Sequence, residues 1–152
     1  VIRTMPNTPA LVGEAMSGVC PNKNVSEEEL KFALDMFSSF GECVELAEKD
    51  FHAFTGLCGS SPAYVFMFIE AMADGAVKMG IPRAKAYKMA AQSVLGSAKM
   101  VLDTGKHPGE LKDMVCSPAG TTTEAVEVLE SLGFRNAAMQ AVIKCSEKSQ
   151  NM

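Results

Sequence analysis

The sequence predicts a mainly α-helical protein, in which a short α/β segment precedes a helical bundle. Before residue 47, short β-prone runs surround a single helix, whereas every periodic segment after it has helical spacing. Three of the later segments begin at a proline and three are followed by a glycine, and no heptad persists long enough for a coiled coil. We therefore divide the chain into residues 1–46 and residues 47–152.

Three short strands are expected in the first region. Residues 1–5 are β-prone, and the run ends at Pro6 and Pro9, which prevent both helix formation and ladder pairing. Residues 13–20 and 44–46 are the other two strand candidates. The predicted order is strand, turn, strand, helix and strand.

The helix of the first region has a recognisable start and end. Ser26 and Glu29 have the spacing of a capping box, in which each residue satisfies a backbone N–H of the other. Gly41 is expected to end the helix in the left-handed conformation that glycine adopts without strain. Between them, apolar residues recur at helical spacing, at Leu30, Ala33, Leu34, Phe37 and Phe40.

The second region is expected to form a bundle of about six helices. One helix is predicted from Pro62 to Met79, followed by Gly80, and it is apolar on nearly all faces. Such a helix must be buried on almost all sides, which a small domain cannot provide, so we expect it to lie between subunits. The next predicted helices run from Pro82 to Thr104, from Pro108 to Cys116, from Thr122 to Leu132 and from Arg135 to Glu147.

Composition and charge exclude several classes of function. The chain has 152 residues, 47% of them hydrophobic, and 14 basic against 18 acidic residues. No segment concentrates the positive charges, so nucleic-acid binding is not expected, and we find neither a signal peptide nor a membrane span. The chain begins with Val, which fits a mature protein and an excised piece of a longer chain alike.

Cysteine and histidine usage indicates a reducing compartment and no metal site. The five cysteines are odd in number and widely spaced, which is typical of a cytoplasmic protein. His52 and His107 have no Cys or His partner at metal-ligand spacing, so no metal is expected. A Cys–His catalytic pair is left open, although nothing resembles a nucleophile motif.

Two junctions between a loop and a helix are candidates for function. Residues 55–64 contain glycines that allow close backbone approach, although a capped helix start after a flexible loop is the commoner explanation of such a stretch. Residues 117–124 gather backbone N–H groups and hydroxyls at a helix N-terminus, which suits a carboxylate or a phosphate. Thr121 and Glu124 also have the spacing of a capping box, and the two interpretations can coexist.

At these junctions the sequence resembles the pyrroline-5-carboxylate reductase family. The stretches TGLCGSSPAY at residues 55–64 and ELKDMVCSPAGTTTE at residues 110–124 are similar to the family's two signature segments. MPNTP at residues 5–9 and ADGAVKMGIP at residues 73–82 match as well. One departure is Ala119, where many members have a second glycine, and we expect it to be tolerated because Gly120 is retained.

The resemblance implies an architecture for the two regions. Residues 1–46 would be the C-terminal remnant of an NAD(P)-binding Rossmann domain, whose G-x-G-x-x-G turn is absent from this chain. Residues 47–152 would be the helical dimerisation and substrate-binding domain, similar to the C-terminal domain of 6-phosphogluconate dehydrogenase. Members of the family form homodimers, which can assemble further into decamers.

The resemblance also implies a reaction and a set of site residues. Family members reduce 1-pyrroline-5-carboxylate to L-proline with NADPH or NADH, the last step of proline biosynthesis. Thr122 would be the catalytic residue, close to the substrate's ring nitrogen. Asn7 and Thr8 would lie at the nicotinamide. The substrate would be bound by Thr55, Ser117, Ala119, Gly120, Thr121 and Thr122.

This chain alone is expected to dimerise but not to turn over, because the cofactor fingerprint is missing beside an intact substrate loop. Two other functions stay open from the sequence. One is a related imine or hydroxy-acid reductase with a similar build. The other is a helical oligomerisation module without a ligand of its own.

Overall fold

The computed structural model describes all 152 residues, which form two compact units. The first unit comprises Val1–Tyr64 and Ala138–Met152, and the second comprises Val65–Ala137. The strands are β1 (Ile2–Met5), β2 (Ala15–Pro21) and β3 (Gly41–Glu45), and the helices are α1 (Glu27–Ser38), α2 (Phe51–Phe54), α3 (Ser61–Lys78), α4 (Arg83–Thr104), α5 (Pro108–Val115), α6 (Thr121–Ser131) and α7 (Phe134–Gln150). The mainly helical class is confirmed, while the division at residues 46 and 47 stays a prediction.

The first unit contains a three-stranded sheet in the order β1-β2-β3. β1 runs antiparallel to β2, with Met5 opposite Gly18, and β2 runs parallel to β3. Parallel neighbours need a crossover connection, and α1 supplies it. After Pro6 the chain forms a 3₁₀ helix at Thr8–Val12. The expectation that the two prolines prevent helix formation is therefore wrong, because Pro9 lies in the first turn, where its missing N–H is not needed. The predicted order of strands and helix is confirmed.

The predicted start of α1 is confirmed, but its predicted end is wrong. Glu29 donates its backbone N–H to Ser26 Oγ at 3.3 Å, and Ser26 donates its own to Glu29 Oε2 at 2.8 Å. The bonds that the Glu29 carboxylate accepts from the Ser26 N–H and from the Ser26 hydroxyl hold the pKa of Glu29 below its ordinary value. Gly41 does not end the helix, which stops at Ser38. Gly41 instead begins β3, with φ +150°. The position requires glycine, because a Cβ there would lie 2.3 Å from the backbone N and O of Ala15.

The core of the first unit lies between the sheet and the short helix α2. Val19 of β2 and Phe51 of α2 are fully buried, and Phe54 is nearly so. The guanidinium of Arg3 lies 4.4 Å from the centre of the Phe51 ring and pairs with Glu48. This cation–π contact and ion pair fix the start of α2 against β1.

The second unit has too small a core to account for its apolar residues. Its helices end within one residue of the predicted positions, and the predicted terminating glycines Gly80, Gly105 and Gly133 have positive φ. Its buried residues are all alanines, Ala73, Ala86 and Ala90. Large apolar side chains of α3 and α4 are exposed instead, among them Phe66 (59%), Met67 (68%), Met89 (57%), Leu95 (57%) and Leu102 (80%). Exposed apolar surface of this extent is typical of an association surface.

None of the helices combines the length and the apolarity needed to cross a bilayer. Helix α7 is longer than predicted and continues to Gln150, because the solvated charges and amides after Glu147 are compatible with a helix.

Candidate functional site

The first candidate junction is helical rather than a loop. Residues Thr55–Gly59 form a single π-helical turn, called the π turn below, between α2 and α3. Its characteristic bond joins the Ser60 N–H to the Thr55 carbonyl at 2.9 Å. The interpretation as a flexible loop before a capped helix is therefore wrong. Single π turns within helices are frequent at functional sites.

Gly56 allows the π turn to pack closely against α7. A Cβ at Gly56 would lie 2.5 Å from the Val142 carbonyl oxygen and 2.4 Å from Ser146 Oγ, both on α7. Only glycine lets the two helices approach this closely. Ser60, just beyond the π turn, accepts a hydrogen bond from Cys145 Sγ of the same helix at 3.1 Å. The predicted close backbone approach is confirmed, and it occurs between the π turn and helix α7.

The hydroxyl of Thr55 is engaged within the first unit. It donates to the Phe51 carbonyl at 2.8 Å, one helical turn earlier, and its oxygen lies 3.4 Å from Met5 Sδ. The residue is half-buried. The predicted role of Thr55 in binding the substrate stays a prediction. Because the hydroxyl hydrogen is donated to Phe51, only the lone pairs of the oxygen are available to a ligand.

Asn7 and Thr8 differ in how their side chains are used. Asn7 Nδ2 donates to the Cys58 carbonyl at 3.0 Å, and Asn7 Oδ1 accepts from the Met16 N–H at 3.0 Å. Thr8 is exposed at the start of the 3₁₀ turn, and its hydroxyl has no protein partner. The sequence carries no signal for the bond between Asn7 and the π turn, because these residues lie 51 positions apart.

The second candidate junction, residues 117–122, is a tight turn that leads into α6. The Gly120 N–H donates to the Ser117 carbonyl at 3.0 Å, and Gly120 is the N-cap of α6 without a side-chain cap. The predicted capping box of Thr121 and Glu124 is wrong, because Thr121 is already the first helical residue. Ala119 is the only non-glycine residue with positive φ, at +55°. The missing family glycine thus falls at a position that favours glycine.

Five polar groups at this turn have no hydrogen-bond partner within the protein. The backbone N–H groups of Thr121 and Thr122 bond to no protein acceptor, nor do their hydroxyls or that of Ser117 have a partner. Thr122 is half-buried, whereas Thr121 is exposed. Thr123 differs, because its hydroxyl donates to the Ser117 carbonyl at 3.1 Å. A Cβ on Gly120 would lie 2.4 Å from Ser117 Oγ, so the serine hydroxyl lies directly over this glycine.

This arrangement can bind a small anion. Free N–H groups at a helix N-terminus carry the positive end of the helix dipole, and adjacent hydroxyls add donors. A carboxylate accepts two or more such bonds at once. The structure brings together Ser117, Ala119, Gly120, Thr121 and Thr122 in the second unit, while Asn7, Thr8 and Thr55 belong to the first. No cluster of three or more His, Cys, Asp or Glu side chains is arranged to hold a metal ion.

The fold and this turn define a helical association domain with a potential anion-binding helix start, preceded by a small α/β segment. The chain belongs to the family described as pyrroline-5-carboxylate reductase dimerisation, whose model matches residues 48–152. The resemblance noted in the sequence is thereby confirmed.

Individual relatives agree with this membership. The pyrroline-5-carboxylate reductase of Escherichia coli is 61% identical over 152 residues, which are 100% of this chain and 56% of that protein. The one from Methanosarcina acetivorans is 55% identical over the same shares. The chain therefore spans about half the length of the curated relatives it matches.

Solved structures share the fold. A Plasmodium falciparum pyrroline carboxylate reductase with NADP bound has a TM-score of 0.93 at 39% identity, covering 99% of this chain and 60% of that one. The 1-pyrroline-5-carboxylate reductase of Streptococcus pyogenes has a TM-score of 0.94 at 39% identity, covering 99% and 58%.

Proposed function

We propose that this chain is the dimerisation and substrate-binding part of a pyrroline-5-carboxylate reductase, which reduces 1-pyrroline-5-carboxylate to L-proline as the last step of proline biosynthesis. The observation that carries the proposal is the pair of unpartnered N–H groups of Thr121 and Thr122 at the start of α6. Relatives of that name match the chain along its whole length.

The substrate carboxylate would accept these two N–H bonds and one from the Ser117 hydroxyl. Thr122, the half-buried threonine, would direct its hydroxyl towards the ring nitrogen of the imine. A protonated imine is already a strong electrophile, so the main task of the protein is to hold it in the reactive orientation. The engaged hydroxyl of Thr123 supports this assignment, because it leaves Thr122 as the half-buried hydroxyl with a free donor.

The cofactor would be held mainly by residues outside this sequence. When bound, a reduced nicotinamide supplies the hydride. Within this chain the free Thr8 hydroxyl fits one polar contact to the nicotinamide end, whereas the Asn7 amide is already engaged at both ends. We propose NADPH or NADH as the reductant, with NADPH supported by the NADP in the Plasmodium falciparum structure.

We further propose that residues 1–46 complete a nucleotide-binding domain and that residues 47–152 form the dimerisation domain. The β2-α1-β3 crossover is the βαβ unit from which such domains are built. The exposed apolar side chains of α3 and α4 would be covered by a second copy, giving a homodimer and, by further assembly, a decamer of five dimers. Five unpaired thiols support a cytoplasmic location.

The experiment compares this chain with a full-length protein that contains it. We expect the full-length protein to oxidise NADPH when pyrroline-5-carboxylate is added. We expect this chain alone to sediment as a dimer at micromolar concentration without turnover. Turnover by this chain alone would contradict the division of roles. A preference of the full-length protein for another cyclic imine or a hydroxy acid would favour a related reductase, and the absence of any reductase activity would favour a purely structural module.

A further inference from the structure

The carbonyl of Cys58 lacks the partner that a regular helix would provide. In an α-helix this oxygen accepts the N–H four residues later, but residue 62 is a proline and has no N–H. The next N–H along the chain, that of Ala63, is bonded to the Ser60 carbonyl at 3.1 Å. A carbonyl at a part-buried position needs a donor from elsewhere, and Asn7 Nδ2 supplies it at 3.0 Å.

The other end of the same carboxamide is equally occupied. β1 ends at Met5, opposite Gly18, and continuing this register would place residue 7 opposite Met16. The chain leaves the ladder at Pro6, and the Asn7 side chain takes over by accepting the Met16 N–H at 3.0 Å. One side chain therefore ties three segments together, namely the loop of residues 6–9, strand β2 and the π turn.

We propose that Asn7 is a positioning residue of the reductase rather than a contact of the cofactor. It fixes the loop that carries Thr8 to the π turn that carries Thr55, so that both residues keep the places the reaction needs. This inference rests on the proposed function and assigns Asn7 a different role from the cofactor contact expected from the sequence. Its physical basis is the missing N–H of Pro62, which makes the donor of Asn7 necessary.

The first test is Asn7→Asp in the full-length protein, assayed well below its unfolding temperature. This change keeps an acceptor for the Met16 N–H but places an oxygen against the Cys58 carbonyl. We expect kcat to fall roughly 10- to 100-fold, with the KM values for NADPH and for the imine changed by less than about threefold. A raised KM for NADPH with unchanged kcat, or no change at all, would overturn the proposal.

Asn22→Asp is the matched control. Asn22 Oδ1 accepts the Asn24 N–H at 3.0 Å, and its amide nitrogen donates to no protein group, so the carboxylate preserves its one bond. We expect the control to retain the kcat of the unsubstituted protein. An equal loss of kcat in both variants would show that added charge, and not the lost donor, is responsible.

The second test measures stability in this chain and needs no cofactor. Pro62→Ala supplies the N–H that would pair with the Cys58 carbonyl in a regular helix, and we expect it to replace the donor of Asn7. Asn7→Asp alone is expected to lower Tm by roughly 3–8 °C. The loss should be smaller in the Pro62→Ala background, where the Cys58 carbonyl has a donor again although the carboxylate still faces it. An equal loss in both backgrounds would overturn the proposal. If Asn7→Asp alone does not fold, we expect the double variant with Pro62→Ala to fold. Failure of the double variant to fold would also overturn the proposal.

The two tests separate the inference from the proposed function. If the unsubstituted full-length protein does not reduce pyrroline-5-carboxylate, the proposed function fails, and the coupling between Asn7 and Pro62 is still decided by Tm. If the enzyme is active and Tm shows no coupling between Asn7 and Pro62, only the proposed role of Asn7 fails.

Discussion

The π turn and the 117–122 turn look alike in sequence but use their polar groups in opposite ways. Glycine, serine and proline occur together at both junctions, in residues 55–62 and in residues 117–120. In the π turn, the Thr55 hydroxyl and the Cys58 carbonyl have partners, and Ser60 beside it bonds to Cys145. In the 117–122 turn, the N–H groups and hydroxyls of Thr121 and Thr122 have none.

We propose that this difference separates a junction whose polar groups serve the fold from one whose polar groups are available to a ligand. Buried polar groups have to be paired, and the π turn meets that requirement with residues far apart in the sequence. Unpaired groups at a partly exposed helix start are solvated by water and remain available to a ligand. Glycine content therefore does not identify a binding loop, whereas the use of its hydrogen-bonding groups does.

The largest expected effect separates two neighbouring threonines of the second turn. In the full-length protein, Thr122→Ala should lower kcat/KM roughly 100-fold, which corresponds to about 2.7 kcal/mol of transition-state stabilisation. Thr123→Ala should change kcat/KM by less than about threefold, because its hydroxyl serves the Ser117 carbonyl, and should instead destabilise the fold by about 1 kcal/mol. Steady-state kinetics and thermal unfolding of both variants check this. Equal kinetic losses would mean that the two hydroxyls are misassigned.

The second prediction compares one substitution in both turns. Gly56→Ala would bring a Cβ against the Val142 carbonyl, which belongs to a helix backbone and cannot move aside, so we expect a loss of about 2 kcal/mol in unfolding free energy. Gly120→Ala meets chiefly the Ser117 hydroxyl, which can rotate away, so its loss of stability should be smaller and its loss of activity larger. Chemical denaturation and kinetics of both variants are the measurements. Similar stability and activity for the two variants would remove the distinction between the turns.

The smallest expected effect concerns the strained residue of the second turn. Ala119→Gly removes a Cβ from a backbone with φ +55° and should stabilise the protein by up to about 1 kcal/mol. Ala125→Gly, in the interior of α6, is the matched control and should destabilise by about 1 kcal/mol. Thermal unfolding should therefore give Tm shifts of opposite sign. A lower Tm for both variants would show that the turn tolerates alanine without strain.

Much of the fold follows from local signals in the sequence. The capping box of Ser26 and Glu29 and the glycines that end α3, α4 and α6 are correctly predicted, because caps depend on residues within one turn of the helix end. The positions of the three strands along the chain follow from β-prone runs between prolines and glycines.

Errors arose where a distant segment decides the local structure. Gly41 is required by the backbone of Ala15, and Gly56 by helix α7, so neither glycine marks a helix end or a flexible loop. The N-cap of α6 was predicted at Thr121 but is Gly120, and residue spacing alone does not locate a helix start to within one residue. The engagement of Asn7 with Cys58 depends on a proline elsewhere in the chain and has no sequence signature of its own.

The central claim is that the start of α6, and not the π turn, receives the carboxylate of the substrate. Its most direct test is a titration of the full-length protein with L-proline, followed through the backbone amide NMR resonances. We expect the Thr121 and Thr122 amides to shift and saturate together, while those of Gly56 and Cys58 stay in place. Saturable shifts at the π turn, with Thr121 and Thr122 unmoved, would contradict the account.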